Sequence, residues 1–192
     1  MLAQLSERSR DESVSNIVAV LGADVDLVRI GHAIAAPVAA VTVGNALHWM
    51  DAAAVFRDSA AILRPGGGVV AITQGPPMWL GEQPWERDLR RYLERSLGGS
   101  VGATCGTDLD TLGARRELLT HCGFGEVQIL EHEVDHEIDA DYVLGHLYSA
   151  LSADQISSPN AFERGLRDVL APHEAAGPLI ERLDITVLIG TV

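Results

Sequence analysis

One segment of the sequence, Ala40–Thr73, constrains the fold more than any other. The apolar run Val38–Val43 at its start is rich in β-branched residues, which is typical of a strand buried on both faces. A helix should begin after Asp51 as its N-cap, and the glycine-rich run Arg64–Gly68 should end that helix before a second strand at Val69–Thr73. This order of strand, helix and strand predicts an α/β protein with a doubly wound sheet.

Hydrophobic periodicity and turn residues predict the remaining elements of a single domain that spans residues 1–192. No linker in the sequence is long enough to divide that domain. The sequence predicts a polar helix at 2–12, a strand at Ile17–Leu21, an irregular connection with one helical turn at Val25–Ala36, a helix at Trp85–Leu97, a helix from Thr107 or Asp108 to His121 that Gly123 ends, helices at Asp139–Leu151 and Phe162–Leu170, and a strand at Asp184–Ile189.

The charge of the chain excludes several classes of partner. The formal net charge is -13, with only 14 Lys and Arg residues, so the sequence has no basic stripe that could bind nucleic acid or an anionic membrane. The longest apolar stretch, Ala33–Leu47, is interrupted by Pro37 and is too short to cross a bilayer. The chain has two cysteines, too few for a disulfide framework. These features favour a cytoplasmic protein that binds neither nucleic acid nor membranes.

Two short motifs within the opening segment resemble those of a known family. Gly44–Trp49, with the sequence GNALHW, followed by Ile62–Gly68, with the sequence ILRPGGG, is similar to the class I S-adenosylmethionine-dependent methyltransferases of the small-molecule type. Asn16–Leu27 resembles the third strand of that family and its turn, and Leu109–Val134 resembles its late helix, Gly-Phe turn and sixth strand. The resemblance implies a Rossmann-like fold with a mostly parallel sheet, helices on both faces, and a helical lid at 76–107 and 139–172.

The resemblance also implies roles for individual residues. His48 is the candidate general base, because its ordinary pKa lies near neutrality. The alternative is that His48 caps the following helix while Trp49 packs beneath it. Asp24 would approach the adenine of the cofactor, or it is only a turn former. The residues that the resemblance places against S-adenosylmethionine are Gly22, Ala23, Asp24, Asn45, Ala46 and Trp49.

Part of the family's cofactor site has no counterpart in this sequence. In the family, a GxGxG-like loop after the first strand holds the methionine end of the cofactor, and an acidic residue after the second strand holds the ribose. Neither feature precedes Asn16, so we expect an N-terminally truncated domain. Losing roughly three net hydrogen bonds of about 1 kcal/mol each would weaken cofactor binding about a hundredfold or more. The sequence leaves open whether the protein is an active methyltransferase, or instead a catalytically inactive methyltransferase-like remnant or an oligomeric interaction protein.

The same comparison predicts how the sheet ends. In the family the first strand lies beside the strand that corresponds to Val38–Val43, so its absence should leave an apolar strand edge exposed. Exposed flat edges of this kind pair readily with another strand. Either Ile17–Leu21 moves in beside Val38–Val43, or two chains pair across that edge, and we expect a homodimer.

A third hypothesis comes from His132–His136, whose sequence HEVDH fits the zinc hydrolase motif HExxH. In that role His132 and His136 would bind the metal, Glu133 would act as general base, and His146 would be the best third ligand. The apolar and charged residues around the motif alternate with the period of a strand rather than a helix. On a strand the two histidines would lie about 13 Å apart, too far for one metal ion.

Overall fold

A four-stranded sheet organises the part of the chain that the computed structural model describes, residues 2–34, 36–102, 108–151 and 155–192. The helices and strands follow one another in the order α1 (Leu2–Asp11), α2 (Leu27–Ala33), β1 (Val38–Gly44), α3 (Ala52–Ile62), β2 (Leu63–Gln74), α4 (Pro84–Leu97), α5 (Leu109–His121), β3 (Glu126–Ile138), α6 (Ala140–Ala150), α7 (Pro159–Ala176) and β4 (Leu179–Thr191).

The strand order across the sheet is β1, β2, β4, β3. The pair β1 and β2 is parallel and is connected through α3, whereas β4 runs antiparallel to both β2 and β3. The predicted α/β class is therefore confirmed. The predicted mostly parallel sheet holds only for β1 and β2, because β4 returns from α7 in the opposite direction and inserts between β2 and β3.

The helix between the two parallel strands begins and ends as the sequence predicted. The Asp51 side chain accepts a hydrogen bond from the backbone nitrogen of Ala54 at 3.1 Å, which caps α3. The glycine turn lies inside the irregular start of β2, so this strand begins at Leu63 rather than at Val69. Gly66 has a φ of +73°, a conformation that favours glycine.

Two predictions about strands are wrong. Ile17–Leu21 forms no strand, and Val18 and Leu21 are 86% and 89% exposed, because no neighbouring strand pairs with this segment. The strand β1 was expected to be buried on both faces, yet Val43 is its only buried residue. β1 lies at the edge of the sheet, with a strand on one side only among the described residues, and this position explains its exposure.

The core has two parts. The first lies between one face of the sheet and the helices α3 and α5, and its fully buried members include Phe56, Val69 and Leu119. The second joins α4, α6 and α7, with Leu89 and Leu166 fully buried. The predicted apolar stripe on the helix at 85–97 is confirmed, and this helical lid packs around a core of its own.

The opposite face of the sheet is open beyond the lid. The cross-strand pairs place a set of aliphatic side chains on this face, and none of them belongs to either core. Ile72 is 41% exposed and Leu130 is 51% exposed. We call this set the open sheet face; its residues are Val70, Ile72, Leu130, Val187 and Ile189.

The HEVDH motif lies within β3, so the predicted strand is confirmed. His132 pairs with Ile185 and His136 pairs with Glu181 across the sheet. The described residues contain no group of three or more His, Cys, Asp or Glu side chains arranged to hold a metal ion. Among the described helices, none has both the length and the apolar character needed to cross a membrane.

Candidate functional site

A cleft of about 720 Å³ opens at the carboxyl ends of the parallel strands β1 and β2. Ligands of open α/β sheets bind at this edge, and the volume falls in the range of small-molecule sites. The lid closes its other side through the end of α4 and through α6. The described lining residues are Asn45, His48, Trp49, Gln74, Gly75, Pro77, Trp79, Leu97, Gly99, Ser100, Val101, Gly102, His146, Ser149, Ala150, Leu151 and Gln155.

Asn45 joins the ends of the two parallel strands. Its backbone nitrogen donates to the carbonyl oxygen of Ile72 at 2.7 Å, and its side-chain oxygen accepts from the backbone nitrogen of Gln74 at 3.4 Å. Its φ is +46°, in the left-handed region that asparagine adopts more readily than most residues. This turn directs the chain after β1 into the cleft.

The next residues form a 3-10 turn, Leu47–Trp49. Leu47 is buried in the sheet core, whereas Trp49 is 80% exposed and lies beside His48, with 5.1 Å between the ring centroids. Since Asp51 caps α3 and Trp49 is exposed, His48 is not the helix cap and Trp49 does not pack beneath it. Both side chains line the cleft instead.

The His48 ring is held in its neutral form. Its Nδ1 atom is buried and has no hydrogen-bond partner among the described residues. Burial lowers the pKa of His48 below the ordinary value of 6.5, and the positive charge of Arg115 lowers it further. A neutral imidazole at pH 7 can accept a proton, so its chemistry is that of a general base.

The lid contributes a second aromatic pair to the cleft. Trp79 follows the two prolines that lead the chain out of β2, and its indole lies edge-on to the His146 ring at 6.0 Å. Burial lowers the pKa of His146. The buried Nε1 atom of Trp79 has no hydrogen-bond partner among the described residues. Trp79 lies in the segment 76–107 that is predicted as part of the lid, whereas no sequence signal marks Gln74, the last residue of β2, as a lining residue.

The cleft carries no formal charge in its described lining. None of these residues is Asp, Glu, Lys or Arg, although such residues make up 21% of the chain. Both lining histidines have lowered pKa values, so they add no positive charge at pH 7. The described part of the cleft lining is therefore uncharged at pH 7, in a protein whose net charge is strongly negative.

Several candidate cofactor residues lie outside the lining of this cleft. Asp24 begins a 3-10 turn, and the backbone nitrogen of Ala23 donates to Asp26 rather than facing the site. Gly22 lies against Ile30 and Asp26. Ala46 packs against the sheet core. The structure thus brings together Asn45, His48 and Trp49, and not the other four.

A buried carboxyl group lies behind the cleft. Glu181 is only 2% exposed, and its Oε1 atom accepts from Nε2 of Gln74 at 3.4 Å. Its Oε2 atom lies 3.9 Å from Nδ1 of His136. Burial raises the pKa of Glu181, while His136 and the hydroxyl of Tyr142 act in the opposite direction. Glu181 thus links Gln74, which lines the cleft, to the interior beneath the lid.

Comparisons with known proteins found no matching family model and no matching curated protein. A putative sarcosine dimethylglycine methyltransferase from Galdieria sulphuraria overlays 99% of this chain and 65% of its own, at 15% identity and a TM-score of 0.44. A putative type II methyltransferase from Anaeromyxobacter dehalogenans overlays 84% of this chain and 68% of its own, at 17% identity and a TM-score of 0.45. Phosphoethanolamine N-methyltransferase 2 of Haemonchus contortus, in complex with S-adenosyl-L-methionine, overlays 79% of this chain and 32% of its own. The identity is 14% and the TM-score is 0.34.

Methyltransferases of small molecules are thus among the solved structures that this chain resembles. The chain spans less than two thirds of the length of the first and the third of them. At TM-scores below 0.5 the overlays do not fix a reaction.

Proposed function

We propose that this protein is an S-adenosylmethionine-dependent methyltransferase-like protein that acts on a small molecule. The observation that carries the proposal is the cleft at the carboxyl ends of β1 and β2. There the GNALHW segment, which resembles the family's own, meets the loop that follows β2. Its residues Asn45, His48 and Trp49 all face the same cleft.

The chemistry of the lining suits part of the cofactor. S-adenosylmethionine, when bound, supplies a methyl group on a positively charged sulfonium. The exposed ring of Trp49 attracts such a cation, and no positive side chain in the described lining opposes it. Asn45 and Gln74 offer amide groups to the polar ends of the molecule. No described lining residue supplies a carboxylate for the ribose hydroxyls, so we expect weaker binding than a complete site would give.

His48 supplies the proton chemistry in this proposal. The burial of Nδ1 leaves Nε2 as the atom that accepts a proton from the cleft. The lowered pKa keeps that atom unprotonated at pH 7. His48 would take the proton that an acceptor nitrogen, oxygen or sulfur atom loses on methylation.

Calorimetric titration with S-adenosylmethionine tests the proposal. We expect saturable binding with a dissociation constant below about 1 mM, because the aromatic and amide contacts remain even where other contacts are lost. Failure to detect any binding at millimolar cofactor would refute the methyltransferase.

Substitution of His48 tests its role once the cofactor binds. His48→Asn should leave cofactor affinity within a few fold but lower the rate of methyl transfer by about 10² to 10⁴, the usual contribution of a general base. His132→Asn is the matched control, because His132 is an exposed imidazole on β3, outside the cleft. Equal rates for the two variants would show that His48 is not the base.

A second candidate function is that of a homodimeric interaction protein without catalysis. The exposed edge strand β1 and the open sheet face favour it, since both leave apolar surface uncovered in the described structure. A dimer that binds no S-adenosylmethionine would support this function over the first.

A further inference from the structure

The two amide side chains at the strand ends of the cleft each have a partner that admits only one orientation of the amide. The side-chain oxygen of Asn45 accepts from the backbone nitrogen of Gln74 at 3.4 Å, and a backbone N–H can only donate. Nε2 of Gln74 donates to Oε1 of Glu181 at 3.4 Å, and a carboxylate can only accept. Turning either amide over would bring two donors or two acceptors together. The chemistry of the partners therefore fixes both amides.

The free ends of the two amides are of opposite kinds. Asn45 is exposed, and its Nδ2 atom, a donor, has no partner among the described residues. Gln74 is half-buried, and its Oε1 atom, an acceptor, also has no partner there. Unlike Nδ1 of His48, this oxygen keeps access to solvent. Both residues line the cleft, so the ends of β1 and β2 present a donor beside an acceptor.

The described surroundings of this pair are uncharged and partly polar. Trp49 offers an exposed ring, and the lid contributes Ser100, Ser149 and Gln155, all of them exposed. The hydroxyl of Ser149 donates to the carbonyl oxygen of His146 at 2.8 Å, which leaves its oxygen as a further acceptor. A flat ring with polar atoms on its edge suits this lining better than a hydrocarbon, which would leave the amides and hydroxyls without partners.

We propose that Asn45 and Gln74 together bind an uncharged group that carries an acceptor atom beside an N–H donor, as in a carboxamide, a lactam or the aminopyrimidine edge of adenine. Nδ2 of Asn45 donates to the acceptor of the ligand, and Oε1 of Gln74 accepts from its N–H. Glu181 is the positioning residue, because it holds the Gln74 amide in the orientation that this requires. Assigning the group to a methyl acceptor or to the cofactor rests on the function proposed above, but the binding itself is measured without the cofactor.

Two other classes of ligand fit this pattern poorly. A group with acceptors only, such as an N-methylated lactam, has no hydrogen to donate to Oε1 of Gln74 and leaves that oxygen unpaired. A carboxylate would meet the same oxygen in a protein of net charge -13, with no positive side chain in the described lining. The free amide atoms thus select a ligand by its arrangement of donor and acceptor.

Three bicyclic probes separate these classes by calorimetric titration. 2-Quinolone has a carbonyl oxygen beside an N–H, 1-methyl-2-quinolone has the carbonyl oxygen without the N–H, and quinoline has the ring with an acceptor nitrogen alone. We expect 2-quinolone to bind about fivefold more tightly than either of the others, the contribution of one neutral hydrogen bond. Equal affinities for the three probes would overturn the proposal.

Asn45→Asp tests the donor without disturbing the strand end. The substitution keeps the oxygen that accepts from the backbone of Gln74 and replaces only the free nitrogen. We expect 2-quinolone to bind at least about fivefold more weakly, because its carbonyl oxygen then meets another oxygen. Asn16→Asp is the matched control, since it adds the same charge at an exposed position outside the cleft and should leave the affinity unchanged. Equal affinities of the two variants for 2-quinolone would contradict the role of Asn45.

Gln74→Met tests the acceptor. It keeps the length of the side chain and removes the amide, so the preference for 2-quinolone over 1-methyl-2-quinolone should disappear. Gln128→Met makes the same change at an exposed position on β3, outside the cleft, and should retain the preference. A preference that survives in Gln74→Met would overturn the proposal.

Glu181→Gln tests the positioning. An amide at this position can both donate and accept, so the Gln74 amide is free to turn over, and the preference for 2-quinolone over 1-methyl-2-quinolone should fall to about twofold or less. A merely structural role of Glu181 would change both affinities alike and leave their ratio unchanged. A ratio as large as in the exposed control Glu133→Gln would therefore refute the positioning role.

Titration with S-adenosylmethionine in the presence and absence of 2-quinolone separates the two sources of the group. Competition between the two molecules assigns the amide pair to the cofactor, and simultaneous binding assigns it to the methyl acceptor. If the lactam preference depends on Gln74 but the cofactor does not bind, the ligand class stands and the methyltransferase fails. If the cofactor binds but the three probes do not differ, the methyltransferase stands and the ligand class fails.

Discussion

At the scale of single residues, Glu181 is the side chain whose burial is most at odds with its charge. It is 2% exposed, its contacts to Gln74 and His136 are long, at 3.4 Å and 3.9 Å, and its other polar neighbour is the hydroxyl of Tyr142. Burial dominates and raises its pKa above the ordinary 4.5. The folded state therefore binds this proton more tightly than the unfolded state. The contribution of Glu181 to the free energy of unfolding is therefore fully present at low pH and is lost as the pH rises from 4.5 through the raised pKa.

Glu181→Gln removes the buried charge and should reverse this loss. We expect the variant to be more stable than the original protein at pH 7 by about 1 kcal/mol, the scale on which poorly paired buried groups destabilise. The gain should vanish near pH 4, where both proteins carry a neutral group at this position. Urea unfolding at several pH values measures it. Glu133→Gln, an exposed carboxyl on β3, is the control and should change stability little at any pH.

At the scale of elements, the cap of α3 has a measurable role. The Asp51 carboxylate accepts from the backbone nitrogen of Ala54, directly after the turn that carries His48. Asp51→Ala removes the acceptor and should cost about 1 kcal/mol of unfolding free energy. Asp51→Asn keeps an acceptor oxygen and should cost much less. Denaturant midpoints give the comparison, and equal losses in the two variants would show that the hydrogen bond to Ala54 is not what stabilises the helix.

The elements that the sequence predicted correctly carry their signals locally. The ends of two helices are set by residues of the nearest turn. Asp51 caps α3, Asp108 caps α5, and Gly123 follows the end of α5 with a positive φ. The alternation around HEVDH likewise identified β3 as a strand. Thr107, the other candidate cap for α5, lies outside the described residues.

The predictions that failed depended on neighbours that the sequence does not specify. Ile17–Leu21 is as apolar as β1, but a strand exists only where another strand bonds to it. The predicted burial of β1 on both faces would have needed packed elements on the face away from α3 as well. The same distinction applies to the residues of the candidate site. His48 and Asn45 could be predicted because they follow a recognisable strand end, whereas Trp79 and His146 reach the cleft through packing of the lid.

At the scale of the whole molecule, the most notable feature is the apolar surface that the described structure leaves exposed to solvent. The edge of β1 has a strand on one side only among the described residues, and most of its side chains are exposed. No charged residue lies within β1 to discourage pairing with another strand. The open sheet face adds further apolar area beside this edge. Two acidic copies would repel one another over most of their surface, so a contact at this charge-free edge is the one that electrostatics opposes least.

We therefore expect a homodimer in which two β1 edges pair, measurable by light scattering at micromolar concentration. Ala40→Lys places a charge on the exposed edge and should raise the dissociation constant of the dimer about tenfold or more. Ala175→Lys makes the same chemical change at an exposed position near the end of α7, so it controls for net charge and should leave the dimer intact. If both variants weaken the dimer equally, overall charge and not the β1 edge governs association, and a monodisperse monomer of the original protein would contradict the pairing altogether.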